Sequence, residues 1–179
     1  MAKLQNRYIA VIATSIDGRI APEKDYPTNW TSKEDKDFLH RILDDSDLVL
    51  VGRRTYEIAK KPLSKRNCLV LTKSTKNFSS RSANLVFGNP ATDIRGYIRE
   101  KKYKKIVVLG GMQTYSYCLQ KKMLHEIYLT IEPLVFGRGL TIFNLQRWLQ
   151  VNFRLISAKK LNIKGSLLLH YKLVDYSKV

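Results

Sequence analysis

The sequence of 179 residues has few of the features that mark membrane, secreted or metal-binding proteins. It contains no run of about 18 apolar residues, the length that a membrane-spanning helix needs. The opening residues, MAKLQNRYIAVIA, show no secretory cleavage pattern. There are only two cysteines, Cys68 and Cys118, with no CxxC pair, and the three histidines are not at metal-ligand spacing. We therefore expect a cytoplasmic protein with buried thiols, no membrane association and no metal site.

Acidic residues are scarce as well. The sequence has 15 Asp and Glu against 32 Lys and Arg, which gives a formal net charge of +17. Such a charge attracts nucleic acids and anionic small molecules alike. The basic residues are scattered in pairs, and the single dense cluster, at 99–105, is typical of a solvated helix end. The pattern favours an anionic small-molecule substrate over a nucleic acid partner.

Strand-like and helix-like runs alternate along the first two-thirds of the chain. The strand-like runs are YIAVIA, LVLVG, CLVLT, NLVF and IVVLGG, and helices are predicted from about Ser32, after Arg54, from about Ala91 and from Met112. Beyond residue 124, EIYLTIEPLVFG, the stretch 153–161 and SLLLHYKLV follow one another without long helices, which predicts antiparallel strands. The expected fold is α/β, a single domain over 1–179 with one mixed, mostly parallel sheet and helices on both faces.

Four predicted strands are followed by polar or glycine-rich loops, which meet at one edge of an open parallel sheet. These loops are TSIDGRIA, GRRT, TKS and GGMQTY. GRRT places a glycine and two arginines at a helix start, TKS adds hydroxyls and a lysine, and paired glycines let main chain approach a ligand. Together they suit a pyrophosphate with a further phosphate. Each loop taken alone is equally consistent with a helix cap or a tight turn.

One acidic residue is predicted to face inward from the first helix. The apolar stripe of that helix consists of Phe38, Leu39, Ile42 and Leu43. At about 100° per residue, Asp35 falls near the middle of this stripe. Partial burial raises the pKa of a carboxyl toward values that suit proton donation or ring binding. The alternative is a capping box, in which the hydroxyl of Thr31 or Ser32 and the carboxylate three residues later satisfy backbone donors. Both interpretations stay open, with Asp35 as the first functional candidate and Glu34 as the second.

The sequence resembles the dihydrofolate reductase superfamily, and within it the pyrimidine reductases of riboflavin biosynthesis. SIDGRIA, at 15–21, resembles the Ser-Leu-Asp-Gly-Lys-Ile-Ala segment of the riboflavin branch, and LVFGRGLTIF, at 134–143, resembles its Gly-x-Gly turn. VLVGRRTYE and VLGGMQTY are similar to segments of both branches, whereas PLSKRNCLVLTKS, at 62–74, is closer to the folate enzymes. The resemblance covers the chain from Tyr8 to about Leu173.

The sequence also departs from the riboflavin branch. Many members place a glutamate before the glycine pair, where Leu109 stands here, and carry a longer segment in place of RTYEIAKKP. A zinc-deaminase signature is absent from the sequence, so the resemblance implies only the reductase half of a bifunctional deaminase-reductase. These departures bear on the identity of the substrate.

The resemblance implies NADPH as the cofactor, with hydride transfer from its nicotinamide. By matched position, the main chain of Ala13 and Ile20 would hold the carboxamide. Gly110 and Gly111 would contact the dinucleotide, and in these folds they are usually joined by a cis peptide bond. The other residues expected at the pyrophosphate or the 2′-phosphate are Gly52, Arg53, Arg54, Thr55, Thr72, Lys73, Ser74, Met112, Gln113 and Thr114.

The substrate side is also implied by matched position. Asp17 would approach the ribosyl chain of a riboflavin-branch substrate. Asp35 or Glu34 lies where the folate enzymes keep the acid that contacts the pterin. Thr130 resembles the threonine that supports this acid through a water molecule. The expected catalytic residues are therefore Asp35, Glu34, Asp17 and Thr130.

Two further residues bear on the choice of substrate. Trp30 would line the cleft, and Arg66 resembles the arginine that folate enzymes direct at the folate tail. The resulting expectation is an NADPH-dependent oxidoreductase that reduces 5-amino-6-(5-phosphoribosylamino)uracil or a related heterocycle. Arg66 and Thr130 keep dihydrofolate reduction as an alternative, and a basic nucleic-acid-binding protein on a reductase-like scaffold is a second alternative. The riboflavin branch commonly forms homodimers, so a homodimer is expected.

Overall fold

The computed structural model describes residues 6–176, which form eleven strands and five helices. The strands are β1 (Arg7–Thr14), β2 (Arg19–Ala21), β3 (Leu48–Gly52), β4 (Cys68–Leu71), β5 (Ser79–Ser82), β6 (Leu85–Gly88), β7 (Lys105–Gly110), β8 (Glu126–Ile131), β9 (Leu140–Thr141), β10 (Val151–Lys160) and β11 (Leu167–Tyr176). The helices are α1 (Lys33–Asp44), α2 (Arg53–Ile58), α3 (Lys60–Leu63), α4 (Ile94–Glu100) and α5 (Met112–Gln120).

The long strands form one nine-stranded sheet in the order β10-β11-β8-β1-β7-β3-β4-β6-β5, and β2 pairs with β9 beside it. Every pairing between β8 and β6 in that order is parallel. The two outer strands on one side, β10 and β11, are antiparallel to their neighbours, and so is β5 on the other side. The predicted mixed, mostly parallel sheet with antiparallel C-terminal strands is confirmed.

Three elements differ from the prediction. The run EIYLTIEPLVFG does not form one strand: β8 ends at Ile131, because Pro133 has no N–H to continue a ladder, and β8 is parallel to β1. Strand β5 has the polar sequence SSRS, which carries no apolar pattern from which a strand could be predicted. Helix α4 begins at Ile94 rather than near Ala91, because the Asp93 carboxylate caps its first turn.

The sheet separates two apolar clusters, one on each face. One cluster contains Ile106 and Val108 of β7 together with side chains of α4 and α5, and the other contains Val107 with side chains of α1, α2 and α3. This alternation follows from strand geometry, since successive side chains point to opposite faces. Helices therefore cover both faces, as predicted. Among the described residues, no helix has the length and apolar character to cross a membrane.

A buried carboxylate joins the amino ends of β1 and β8 to β11. Glu126 accepts hydrogen bonds from Arg7 Nε at 2.6 Å and Arg7 Nη2 at 2.7 Å, and His170 Nε2 lies 2.8 Å from its Oε2. The His170 ring stacks on Tyr128 with the ring centroids 4.2 Å apart. Burial raises the pKa of Glu126, but the bonds with Arg7 and His170 outweigh burial, so its pKa lies below the ordinary 4.5. The ionised carboxylate therefore stabilises the fold.

We expect Glu126→Gln to lower the free energy of unfolding by about 2 kcal/mol at neutral pH, because it removes a charge-assisted bond to Arg7. Folding lowers the pKa of Glu126, so its stabilisation is present above the unfolded-state pKa and is lost as the pH falls through the folded-state pKa. Urea unfolding measured at neutral pH and near pH 3 should therefore show a smaller difference between variant and wild type at the acidic value.

The matched control for this measurement is Asp37→Asn. Asp37 pairs with Lys33 on the exposed surface of α1, and such pairs contribute little to stability. A Glu126→Gln deficit of the same size at both pH values would contradict the role of the ionised carboxylate.

Candidate active site

The carboxyl ends of five parallel strands meet at one edge of the sheet. In order across the sheet these strands are β8, β1, β7, β3 and β4. The loops at 15–21, 52–55, 72–74 and 110–114 follow β1, β3, β4 and β7, so the structure brings all four predicted loops to the same edge. With about 4.8 Å between neighbouring strands, this edge extends over roughly 20 Å.

Two glycines allow the starts of α2 and α5 to lie close together. A Cβ atom on Gly52 would lie 2.7 Å from Thr114 Oγ1, and a Cβ atom on Gly111 would lie 3.2 Å from Thr55 Oγ1. Each glycine therefore makes room for a hydroxyl from the opposite helix, because β3 and β7 are neighbours in the sheet. We call these four residues the glycine cradle.

The peptide bond between Gly110 and Gly111 is cis, as the family resemblance implies. Gly110 has a φ of 93°, a conformation that favours glycine. The Tyr115 ring lies directly against it, only 2.7 Å from where a Cβ atom would stand. The Tyr115 hydroxyl donates to the Val11 carbonyl at 2.6 Å and so fixes α5 against β1.

The helices that begin at the glycine cradle differ from α1 and α4 in their caps. Helices α1 and α4 begin with side-chain caps, from Ser32 and Asp93. Helices α2 and α5 begin after Gly52 and Gly111, and no side chain within residues 6–176 caps either of them. The first N–H groups of the nine-residue helix α5 are therefore not taken by a side chain, and the helix dipole favours an anion there.

Two exposed arginines flank the glycine cradle on different sides. Arg53 donates to Glu57 at 2.8 Å, and its guanidinium lies 4.9 Å from the ring centroid of Phe87 on β6. Arg54 Nε instead lies 3.8 Å from a carboxylate oxygen of Asp25, in the loop after β2. Arg53 is thus the arginine on the side of β4 and β6.

The loop after β4 adds hydroxyl groups and a lysine. Thr72 Oγ1 lies 2.9 Å from Ser74 Oγ and accepts the backbone N–H of Ser74 at 3.2 Å. Thr72 is buried, whereas Lys73 is exposed. The two hydroxyls hold the turn, and the Lys73 side chain is exposed beside them.

The other predicted cofactor residues occupy both sides of the glycine cradle. Ala13 is paired with Thr130 across β1 and β8, and Ile20 packs against the apolar cluster beneath α5. Met112 accepts a weak hydrogen bond from Thr141, with its sulfur 3.8 Å from the hydroxyl. Gln113, in the first turn of α5, is exposed.

Asp35 is a buried carboxylate beside the end of β8. Only 6% of its surface is exposed, and the hydroxyls of Thr130 and Thr31 donate hydrogen bonds to its carboxylate. Burial raises the pKa of Asp35 above its ordinary value, and the nearby charge of Glu132 adds to the increase. The two threonine bonds act in the opposite direction but do not cancel the increase. This carboxyl can therefore hold a proton closer to neutral pH than an exposed aspartate can.

The structure also shows how the start of α1 is capped. Ser32 Oγ accepts the backbone N–H of Asp35 at 3.3 Å, which is one half of a capping box. The N–H of Ser32, however, donates to Glu132 Oε1 at 2.7 Å. The Asp35 carboxylate is engaged by threonines instead. Glu132 was not identified from the sequence. It lies two residues after Thr130, and in an extended segment this spacing places both side chains on the same face.

Glu34 and Trp30 lie in different surroundings from Asp35. Glu34 is exposed and accepts a hydrogen bond from Asn162 at 3.2 Å; its own backbone N–H and Asn162 lower its pKa. The Trp30 ring meets Phe136 edge-on at 5.2 Å between centroids. Its buried Nε1 has no hydrogen-bond partner among the residues that the structure describes.

Both carboxylate oxygens of Asp17 are bound by groups of the protein itself. Ser15 Oγ donates to Oδ1 at 2.6 Å, Phe136 N donates to the same oxygen at 3.2 Å, and Gly137 N donates to Oδ2 at 2.9 Å. These bonds, with that from Ser15 the largest, lower the pKa of Asp17. Asp17 therefore fastens the 15–21 loop to the 134–139 turn.

Arg66 lies at the opposite edge of the sheet, just before β4. Its guanidinium donates to the Asp44 carboxylate and the Pro62 carbonyl, and its buried Nε has no partner within 6–176. Together with Lys61 and Lys65 it lines a cavity of about 340 Å³. The structure thus does not bring Arg66 to the edge that holds the four loops.

Neither cysteine contributes to this site. Cys68 and Cys118 are buried and are not joined in a disulfide, and burial raises the pKa of the Cys68 thiol to about 11. Among the described residues, no group of His, Cys, Asp and Glu side chains could hold a metal ion. The polar chemistry of the edge therefore comes from Asp35, the hydroxyls and the cations.

Comparison with known proteins finds relatives that match nearly the whole chain. The model of the dihydrofolate reductase family matches residues 7–177 of the chain. The uncharacterized protein YwjB of Bacillus subtilis (strain 168) is 24% identical over 175 residues, which cover 91% of this chain and 92% of YwjB.

Several solved structures have the same fold. A pyrimidine reductase-like protein of Corynebacterium diphtheriae superimposes with a TM-score of 0.73 at 17% identity, over 95% of this chain and 92% of that one. RibD of Acinetobacter baumannii gives 0.79 at 13% identity, over 98% of this chain but 60% of RibD. Dihydrofolate reductase of Enterococcus faecalis, in a complex with NADP(H), gives 0.66 at 19% identity, over 96% and 98%.

At these identities the structural similarity establishes the fold. The family match, in contrast, spans nearly the whole chain and confirms the resemblance to the dihydrofolate reductase superfamily. The chain belongs to the dihydrofolate reductase family.

Proposed function

We propose that the protein is an NADPH-dependent reductase that transfers hydride to 5-amino-6-(5-phosphoribosylamino)uracil or a related heterocycle. One observation carries the proposal: a single edge of the sheet holds both the buried Asp35 carboxyl and the glycine cradle around Gly52 and Gly111. Solved structures of the same fold include a pyrimidine reductase-like protein and a dihydrofolate reductase with NADP(H), which supports reductase chemistry.

The residues at this edge fit a pyridine dinucleotide phosphate. The cap residue Gly111 has no side chain, and a pyrophosphate would approach the uncapped N–H groups at the start of α5. Arg53 and Lys73, beside the Thr72 and Ser74 hydroxyls, suit the 2′-phosphate, since β3 and β4 are adjacent. Ala13 and Ile20, on the β1 side, would hold the nicotinamide carboxamide. When bound, NADPH would supply the hydride.

Asp35 would supply the proton. Reduction of a C=N bond adds hydride to carbon and a proton to nitrogen, so a positioned acid completes the reaction. Thr130 and Thr31 hold the carboxyl, and Trp30 offers its free N–H to the heterocycle. Glu34 is the weaker candidate for this role, because it is exposed and bonded to Asn162.

Asp17 would act mainly through the loop that it holds. Its carboxylate is bound by Ser15, Phe136 and Gly137, and so it keeps the 15–21 loop next to the end of β1. Contact between Asp17 and the ribosyl chain of the substrate is part of the proposal that rests on the family resemblance.

Dihydrofolate reduction is the second candidate function. It is favoured by the bond from Thr130 to the buried Asp35 carboxylate, whereas the basic cavity at Arg66 lies at the opposite edge of the sheet from Asp35 and the four loops. The same cavity also contains Asp44, which pairs with Arg66. A tail carboxylate would have to displace Asp44, and we therefore rank this activity below reduction of the aminouracil.

Turnover assays with both substrates test the proposal. With saturating NADPH, we expect the aminouracil to be reduced faster than dihydrofolate.

Asp35→Asn should lower kcat by about 100-fold, because a positioned acid contributes on that scale, while NADPH affinity stays within about twofold. Tryptophan fluorescence quenching measures the affinity, and Asp37→Asn is the matched control on the exposed face of α1. Full activity of Asp35→Asn would return Asp35 to a structural role.

Cofactor selectivity should separate the two arginines. We expect Arg53→Ala to weaken NADPH binding about tenfold and NADH binding little, because Arg53 lies on the 2′-phosphate side. Arg54→Ala, on the side of Asp25, should affect the two cofactors equally. Fluorescence titration of both variants measures these constants. Equal loss of both cofactors in Arg53→Ala would reject its 2′-phosphate role.

Salt-sensitive nucleic acid binding without cofactor binding would favour the basic scaffold instead.

We also propose that the protein is cytoplasmic, because its proposed cofactor and phosphorylated substrate are cytoplasmic metabolites. We further propose that it forms a homodimer. Exposed apolar side chains on the β10–β11 hairpin, Leu155, Ile156 and Leu167, offer a surface for a second copy. Sedimentation velocity should give twice the chain mass for the wild type and a monomer for Leu155→Lys with Ile156→Lys. A monomeric wild type would contradict the proposal.

A further inference from the structure

Asp35 stands where an acid ordinarily completes its own helix cap. When Ser at the N-cap is followed three residues later by an acid, the acid can accept the N–H of the N-cap residue. In this structure the Ser32 N–H donates to Glu132 Oε1 at 2.7 Å instead. Glu132 directly follows β8 and is 3% exposed. Glu132, which is distant in the sequence, therefore accepts the hydrogen bond from the Ser32 N–H that Asp35 would otherwise accept.

We propose that Glu132 is a positioning residue for Asp35: it occupies the Ser32 N–H and thereby leaves the Asp35 carboxyl with Thr130 and Thr31, at the reacting edge. The inference rests on the proposed role of Asp35 as the proton donor. It assigns to Glu132 an effect on the chemistry without contact with the substrate.

Glu132 is itself held in place by the C-terminal hairpin. Its Oε2 accepts a hydrogen bond from Ser166 Oγ at 2.5 Å, and Ser166 is 1% exposed. Asn162 Nδ2 in turn donates to Ser166 Oγ at 2.9 Å. Both residues belong to the connection between β10 and β11. With one oxygen on Ser32 and the other on Ser166, the Glu132 carboxylate cannot turn away without leaving a buried group unpaired.

The charged and titratable groups around Asp35 act in different directions. Glu132 raises the pKa of Asp35 and Lys36 of α1 lowers it. On α5, the pKa of Tyr115 is raised by burial and further by Asp35. Glu132 therefore influences Asp35 by its charge as well as by its hydrogen bond to Ser32.

Loss of the Glu132 carboxylate should change the hydrogen-bond partner of the Asp35 carboxylate. The unpaired Ser32 N–H would then attract the Asp35 carboxylate and close the capping box. A carboxylate that accepts a backbone N–H at a helix start is stabilised in its ionised form, so its pKa falls. The residue would lose both its position beside Thr130 and its readiness to donate a proton.

Two Glu132 variants distinguish an effect on the position of the Asp35 carboxyl from an effect on the stability of the whole protein. Glu132→Ala should lower kcat at least about tenfold with unchanged NADPH affinity, while Glu132→Gln keeps an acceptor for Ser32 and should stay within about threefold of the wild type. Asp37→Asn removes an exposed charge from α1, the helix that carries Asp35, and controls for charge alone. If Glu132→Ala does not fold, Glu132→Asp replaces it, because its shorter side chain keeps the charge but withdraws from Ser32.

The titration of Asp35 supplies a readout that needs no substrate. Carbon-13 NMR of protein labelled at the aspartate carboxyls measures the titration of Asp35 as the pH is changed. The Asp35 signal is the one that is missing from the spectrum of Asp35→Asn. We expect the midpoint to fall by about one unit in Glu132→Ala and by less in Glu132→Gln. An unchanged midpoint, or equal loss of kcat in both variants at every pH, would overturn the inference. Full turnover in Asp35→Asn would instead overturn the proposed function, whatever the Glu132 variants do.

Discussion

The close approach of two helix starts across Gly52 and Gly111 is the contact on which the arrangement of this edge depends. Strands β3 and β7 are neighbours, so a Cβ atom on Gly52 would collide with Thr114 Oγ1 and a Cβ atom on Gly111 would crowd Thr55 Oγ1. Thr114 and Thr55 fill the space that the missing side chains leave. The steric requirement that permits this packing also leaves N–H groups at the edge, so one constraint shapes both the fold and its anion-binding surface.

Much of this architecture could be predicted because it depends on local patterns. The central parallel strands, such as Leu48–Gly52 and Lys105–Gly110, are continuous apolar runs, since both faces of the sheet are covered. Glycines at the strand ends marked the loops of the edge. The inward orientation of Asp35 followed from helical periodicity alone, and its 6% exposure agrees with that prediction.

The rest could not be predicted because it depends on contacts between distant segments. The sequence around Ser32 and Asp35 is equally consistent with a capping box and with a functional acid, and the residue that accepts the Ser32 N–H, Glu132, is 100 positions away from Ser32. Two of the three partners of Asp17, Phe136 and Gly137, are likewise 119 and 120 positions away. Strand β5 is polar, and an exposed edge strand needs no apolar face, so composition gave no signal for it.

The bonds of Asp17 make the 15–21 loop and the 134–139 turn a single mechanical unit. The turn contains Gly137 and Gly139, both with positive φ, and a Cβ atom on Gly139 would lie 2.1 Å from the Ala21 carbonyl oxygen. Any separation of loop and turn must exchange the hydrogen-bond partners of one carboxylate. Any movement of the 15–21 loop is therefore tied to the stiffness of a turn far along the chain.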